Sequence, residues 1–503
     1  MDVLRYRPIF YPRSLAVIGA SDSPAKFGGG YLQAIRTFGY KGKVFPVNPK
    51  ERVVQGLTAY PSLEAIPEPV ESAVITVPAP QVPEAVRGCV KKAVQGVSIA
   101  TAGFREAGAE GEALEREVVR IAREGGVRII GPNCFGVYSP QVGLTMIVGG
   151  QFPALAGSVG VVSQSGGVAS DLIYMGAGRS VYFSVVVSCG NACDLDPTEM
   201  LRYFEADPAT SLVGAYVEGV EDGRAFFEAL RACARKKPVV LLKGGLSEQG
   251  SRGTLGHTGS LAGSRQAWQA AVKSAGAVCA FDVRDLADCL MAFNCLPGFT
   301  GGGAGIMAPS GARGVDGLDA ALDQGFPVPV LDKQTVSRIA SLLPPAGGKA
   351  ANPLDLAGPS ILPEKINPLL EILAESPSVG FVVMYQMLFY FLRMVSGTMP
   401  PWEVEGFMSG LHETIAAKAR AVREKHGKPL SMVLVETAST PELFDTELQR
   451  IKARQLYTAG GIPCFDSGLR LFSVLRRVAD YYTARGHKLR FPTSSSPSGR
   501  GPG

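Results

Sequence analysis

Short apolar runs recur along the chain, each ending in Gly, Pro, Ser, Thr or Asn and giving way to a stretch with helical spacing of apolar residues. Leu15–Gly19, Lys43–Val47, Ser72–Pro78 and Gly96–Gly103 read as successive strands, and Val127–Val137 closes that series. A second series reads Gly157–Ser163, Val181–Ser188, Ser211–Gly219 and Pro238–Gly245. Pro297–Gly303 has the composition of a flexible linker. A third series follows it, from Ala304–Ser310 through Asn352–Leu356 and Val379–Tyr385 to Met432–Val435. Strands alternating with helices predict an α/β chain with mostly parallel sheets, and 503 residues exceed what one core can hold. The expected organisation is three consecutive open-sheet domains at 1–150, 151–297 and 304–490, with a Ser-, Pro- and Gly-rich tail over 491–503 expected to be disordered.

The ends of the first strands carry the first candidate chemistry. Gly19 closes a strand, Ala20–Pro24 turns, and the cluster Gly28–Gly30 opens a helix expected from Tyr31 to Phe38. Strand, turn and helix form a nucleotide-binding half-unit, in which an anion rests on free N–H groups at the helix start. The dinucleotide fingerprint G-x-G-x-x-G is missing, and the second strand leads to Asn48-Pro49-Lys50 where an NAD site would carry an acid. A lysine there suits a ribose phosphate, which leaves NADP or coenzyme A; Lys26, in the turn, is a weaker cation candidate. Ligands of such sheets bind beyond the carboxyl ends of the strands, so Val77, Pro78, Thr101, Ala102 and Gly103 are expected to line one crevice with Ser21 and Lys50.

In the second series, Gln164-Ser165-Gly166-Gly167 joins a strand to a helix through small residues, leaving N–H donors and the positive end of the helix dipole at one spot. Ser165, Gly166 and Gly167 are therefore candidate phosphate ligands. Asp196, Pro197 and Glu199 read as N-cap, first residue and third residue of a helix, a structural role. His257 lies among glycines and small hydroxyl residues, in Gly253-Thr-Leu-Gly-His-Thr-Gly-Ser-Leu-Ala-Gly263, where no bulky neighbour shields its ring. Glu218, at a strand end, is placed to accept a hydrogen bond from one nitrogen of that ring, leaving the other nucleophilic. In the third series Ser310 and Gly311 open another helix, with Arg313 adding charge. His412, His426 and His487 fall in polar contexts and are expected to be solvated.

Composition removes some classes of function. The net charge of +5 is small for the length and forms no basic run, which argues against nucleic acid. Nine scattered cysteines lack metal-site spacing and read as reduced thiols of a cytoplasmic protein. No metal site is predicted. The first residues lack the apolar core of a signal peptide, and the most apolar run, Val379–Leu392, contains Gln386 and is shorter than the roughly 20 residues a membrane span needs.

Gly256-His257-Thr-Gly-Ser-Leu-Ala-Gly263 closely resembles the phosphohistidine loop of the nucleoside-diphosphate-forming acyl-CoA synthetases, relatives of succinyl-CoA synthetase. Val17-Ile-Gly-Ala-Ser21, Val47-Asn-Pro-Lys50, Thr101-Ala-Gly-Phe104 and Gly131-Pro-Asn-Cys134, in this order, resemble the CoA-binding domain of the same family. The resemblance implies a Rossmann-like CoA-binding domain followed by two flavodoxin-like ligase domains. It implies that Gly19, Ser21, Asn48, Lys50 and Thr101–Gly103 surround the nucleotide and pantetheine of CoA, with Asn133 and Cys134 near the thiol; a small buried residue is the other reading of Cys134. It implies an α-type subunit with phosphate docking at Ser165–Gly167 and at Ser310–Gly311, although Pro309–Gly314 departs from the family's usual turn at the second place. No stretch reads as an ATP-grasp fold. The expected partner is therefore an ATP-grasp β-type subunit supplying ATP/ADP or GTP/GDP with Mg2+, and the substrates a small carboxylic acid and its acyl-CoA. The alternatives are a CoA-binding regulatory or scaffold protein and an NADP-linked oxidoreductase.

Overall fold

The computed structural model describes residues 2–245, 265–344, 347–357, 362–436 and 440–487. The His257 loop and the 491–503 tail lie outside the described residues. Three open α/β sheets organise the chain, in two compact units, one from Met1–Ala177 with Val181–Leu290 and one from Gly178–Ser180 with Met291–Gly503.

The first unit holds two sheets. Strands β1 (Ser14–Ile18), β2 (Lys43–Val47), β3 (Ser72–Ile75), β4 (Gly96–Ile99) and β5 (Arg128–Ile130) are all parallel, in the order β2-β1-β3-β4-β5. The strand order reverses beside β1, which puts the ligand crevice of such a sheet at the carboxyl ends of β1 and β3. β1 is buried along its whole length, as a strand covered by helices on both faces must be. The helix expected from Tyr31 starts earlier, at Phe27, and takes the three glycines into its first turns. A side chain at Gly28 would overlap the Gly19 carbonyl oxygen, and one at Gly29 the Ser23 carbonyl oxygen. These glycines therefore permit close approach of the helix to the preceding turn; they do not delay the helix.

The second sheet comprises β6 (Gly136–Ser139), β7 (Leu144–Thr145), β8 (Ala156–Ser163), β9 (Phe183–Ser188), β10 (Leu212–Val217), β11 (Val239–Lys243) and β12 (Val278–Ala280). Its order is β12-β11-β10-β8-β9-β6-β7, with β6 antiparallel to both β9 and β7. The chain has thus left the first sheet before residue 136, and its hairpin forms one edge of the second. One hydrophobic core runs through both sheets, from Leu15 and Val17 to Val185, Val213 and Leu241. The helix Pro197–Ala206 begins as its sequence predicts, with Asp196 accepting the Glu199 N–H at 2.8 Å.

The second unit carries β13 (Ala304–Ala308), β14 (Leu354–Asp355), β15 (Phe381–Gln386), β16 (Leu430–Leu434) and β17 (Cys464–Phe465), parallel and in the order β14-β13-β15-β16-β17. Asn352 clamps this sheet. It donates to the carbonyls of Ala304 (2.8 Å) and Pro329 (3.0 Å) and accepts from the Ile306 N–H (2.9 Å). Of the three histidines expected to be solvated, only His487 is exposed. His412 is 2% exposed, because helix Pro401–His426 puts it on one stripe with Met408, Ile415 and Ala416. His426 is half-buried, its Nε2 2.7 Å from Glu371 Oε1. No helix among the described residues is long and apolar enough to cross a membrane.

Candidate functional site

The strand ends of the first sheet, where a ligand crevice is expected, are tied to one another. Gly19 follows β1 with φ +90°, a conformation glycine tolerates, and a side chain there would crowd the Val77 backbone. Asn48, after β2, donates to the Ala20 carbonyl at 2.9 Å and accepts the N–H groups of Lys50 (2.8 Å) and Glu51 (3.1 Å). Gln55 braces the Ser21 turn from the other side, donating to the carbonyls of Ser21 (3.1 Å) and Gly29 (2.9 Å). Thr101 donates its hydroxyl to the Val77 carbonyl at 2.6 Å, and the Asn133 N–H donates to the Thr101 carbonyl at 3.0 Å. Gly19, Ser21, Asn48, Val77, Thr101 and Asn133 are in this way linked across five strand ends.

Pro78, Ala102 and Lys50 are exposed beside this line, and Lys26 is exposed at the N-cap of the Phe27 helix. Gly103 does not offer a free N–H, since Glu106 Oε1 accepts it at 2.6 Å. Cys134 is buried, its Sγ 3.5 Å from the Ile99 carbonyl, and burial pushes its thiol up to about 12. It is held as a neutral thiol at neutral pH, and its geometry is that of a packed residue.

At the second sheet, helix Gly166–Ala177 starts directly beyond β8. Ser165 Oγ accepts the Val168 N–H at 3.3 Å, an N-cap bond, and the Ser165 N–H donates to Ser163 Oγ at 3.1 Å. A Cβ on Gly167 would meet nothing closer than 3.8 Å, and one on Gly166 would lie 3.6 Å from Ser188 Oγ. Ser188, the last residue of β9, is fully buried and its hydroxyl has no hydrogen-bond partner among the described residues. A buried hydroxyl without a partner among the described residues, beside the N–H groups of a helix start, is a place for an oxyanion.

Glu218 follows β10, and its carboxylate receives the Tyr216 hydroxyl at 3.2 Å. Gln164 Oε1 accepts the N–H groups of both Glu218 (2.6 Å) and Gly219 (3.0 Å), so the residue before the helix start also fixes the acid's backbone. Lys243, at the end of β11, donates to the Glu218 carbonyl at 2.6 Å and lies 5.6 Å from the Trp268 ring centroid. Burial lowers its ammonium pKa, partly offset by the Glu218 charge. The same carboxylate and, above all, burial push the Tyr216 phenol up to about 12. A side chain at Gly244 would crowd Tyr216 Oη, which accounts for one glycine of the Lys-Gly-Gly run. His257 itself lies outside the described residues.

In the second unit, helix Gly311–Asp323 starts after Ser310, whose side chain makes no cap. A Cβ on Gly311 would stand 3.2 Å from Asp355 Oδ2, so a carboxylate already adjoins this helix start. An anion meets less favourable electrostatics here than at Gly166. The sequence assigns no chemistry to Gln164, Ser188, Glu106 or Asn191. Gln164 has a local signal in its place directly before Ser165, and Asn191 belongs to the Gly190–Asp196 run, which reads as structural.

A sheet with this crevice, joined in one unit to a second sheet with an open helix start, defines a chain of the CoA-ligase class. Residues 13–140 match the family profile described as a CoA binding domain, and residues 156–293 the profile of a succinyl-CoA ligase like flavodoxin domain. The chain is 35% identical over 460 residues to the alpha subunit of ADP-forming acetate–CoA ligase II of Pyrococcus furiosus, covering 91% of this chain and 93% of that one. It is 38% identical over 375 residues to ADP-forming acetate–CoA ligase I of Archaeoglobus fulgidus, covering 75% of this chain but only 54% of that longer protein. Among solved structures, the dinucleotide forming acetyl-coenzyme A synthetase 1 of Ca. Korarchaeum cryptofilum, in complex with phosphate and ADP, matches with a TM-score of 0.77 at 27% identity, over 96% of this chain and 98% of that one. The chain belongs to the ADP-forming acyl-CoA synthetase family within the succinyl-CoA synthetase superfamily.

Proposed function

We propose that the chain is the α-type subunit of a nucleoside-diphosphate-forming acyl-CoA synthetase. It interconverts acyl-CoA, phosphate and NDP with carboxylic acid, CoA and NTP. The observation that carries the reading is the pairing, within one compact unit, of the strand-end crevice at Gly19–Asn133 with the unpartnered Ser188 hydroxyl beside the Gly166 helix start. The likeness to a protein named as an alpha subunit over 93% of its length supports the subunit role. A partner of the ATP-grasp kind would hold the nucleotide and its Mg2+, while CoA lies along Ser21, Lys50, Thr101 and Asn133.

In the acyl-CoA-consuming direction, a phosphate held at Ser165, Gly166 and Gly167 attacks the thioester carbonyl. The C–S bond breaks, CoA leaves as thiolate, and an acyl phosphate forms. The helix dipole and N–H groups hold the phosphate without having to reorganise. A ring nitrogen of His257 then attacks phosphorus, the carboxylate leaves, and phospho-His257 passes the group to NDP. Glu218 accepts the N–H of the other ring nitrogen and stabilises the charge that builds there. Ser310 and Gly311 are the proposed second dock.

The test is to incubate the purified chain with acyl-CoA and labelled phosphate. An acid-labile, base-stable label that disappears in His257→Ala supports the reading, and a label retained in that variant overturns the phosphohistidine step. Acyl-CoA synthesis from acid, CoA and ATP by the chain alone would overturn the partner assignment.

A further inference from the structure

The run Gly190–Asp196 leads into a helix, yet its first residues work elsewhere. Asn191 is 1% exposed, and its backbone N–H donates to the Pro132 carbonyl at 2.9 Å. Gly190 has φ +49°, and a side chain on it would overlap the carbonyl oxygens of both Pro132 and Asn133. Cys193 and Leu195 donate to the carbonyls of Gly131 (3.1 Å) and Ile129 (3.0 Å), so residues 191–195 run alongside β5 and the turn that carries Asn133.

The Asn191 amide reaches the other lip of the crevice. Its Nδ2 donates to Glu106 Oε2 at 2.6 Å and to Glu115 Oε2 at 2.9 Å. The second oxygen of Glu106 accepts the N–H groups of Gly103 (2.6 Å) and Phe104 (3.2 Å). Burial opposes charge on Glu106, but the Asn191 amide and these two N–H groups prevail and hold its carboxyl below the usual range. Without the amide, Glu106 would face Glu115 across a gap holding no shared donor, and the Gly103 backbone would follow Glu106 as it moved. Three residues before Asn191, Ser188 stands beside the phosphate cradle at Gly166.

We propose that Asn191 is a positioning residue for the thiol end of CoA, fixing Thr101–Gly103 through Glu106 and the Asn133 turn through Pro132. The stretch Ser188–Asn191 thereby sets the spacing between thioester and phosphate. This rests on the CoA reading above. Attack requires the reacting atoms about 3–3.5 Å apart, so a small shift of either lip is felt in binding and rate.

Calorimetry on the full chain tests it, with CoA and with its nucleotide fragment 3′-phospho-ADP as ligands. Asn191→Ala should weaken CoA roughly tenfold, the scale of one buried hydrogen bond, and leave the fragment within about twofold. Glu106→Gln, with one acceptor oxygen left for two sets of donors, should give the same split, and the double variant no further loss. Should Asn191→Ala fail to fold, Asn191→Ser carries the same expectation. Equal losses for both ligands, or none for either, would overturn the positioning role while CoA binding by the parent chain kept the reading intact. Failure of the parent chain to bind CoA would overturn both.

Discussion

His412 makes acid sensitivity in the second unit a quantitative expectation. Its Nδ1 lies 2.9 Å from Tyr457 Oη, its Nε2 has no partner among the described residues, and burial lowers its pKa to about 4. Tyr457, whose phenol burial pushes up, stays protonated throughout and supplies no charge to stabilise an imidazolium. An unfolded histidine titrates near 6.5, so above that pH both states are neutral and stability is unaffected. As pH falls from about 6.5 towards 4 the unfolded chain takes up a proton that the folded chain refuses, and stability drops. With these two pKa values the loss between pH 7 and 4.5 is about 2 kcal/mol. His412→Leu should abolish this component, since Gln386 Nε2 still donates to Tyr457 Oη at 3.2 Å. Trp402 lies on the same helix as His412 and is one of the chain's two tryptophans, so a Trp268→Phe background isolates its fluorescence during urea unfolding. A His412→Leu variant that loses stability as steeply as its parent between pH 7 and 4.5 would refute the claim that the ring is held neutral.

Further expectations are local. Gly28→Ala drives a methyl into the Gly19 carbonyl and should displace the Ser21 turn, weakening CoA binding more than about tenfold, read by calorimetry with a melting curve as fold control. Ser188→Ala removes the unpartnered hydroxyl beside Gly166. It should raise KM for phosphate several-fold in the acyl-CoA-consuming assay, with CoA affinity and melting temperature unchanged. Asp196→Ala deletes the cap of helix Pro197–Ala206 and should cost about 1 kcal/mol in denaturant unfolding, with ligand binding retained.

The sequence made these sites legible to different depths, and the dividing line is the range of the interaction. Buried strands and the turns after them are local patterns, so Leu15–Gly19, Val181–Ser188 and Ala304–Ala308 announced their sheets, and Asp196-Pro197 announced a helix. Four motifs at strand ends, read in order with the family's pattern, point to one crevice, and the bonds from Asn48, Thr101 and Asn133 link the residues named for it. Gly28–Gly30 was misread because glycine serves both to break a helix and to let one pack closely, and only the neighbouring Gly19 carbonyl decides between these. The sequence misplaces His412 because Ser409, Glu413 and Thr414 around it are polar, whereas burial follows the stripe at three- and four-residue spacing. Glu106 and Asn191 meet across 85 positions of sequence, a separation at which no periodicity or spacing carries information.

The hairpin Gly136–Thr145 bears on any attempt to excise the first sheet with its helices. A cut near residue 150 would leave the hairpin on the first piece and strip Phe183–Ser188, on the second, of its antiparallel neighbour, baring an apolar edge strand that invites aggregation. A cut near residue 135 would keep the hairpin beside Phe183–Ser188 but divide the hydrophobic core that runs through both sheets. The two sheets of the first unit are therefore best expressed, swapped or engineered as a single inseparable module.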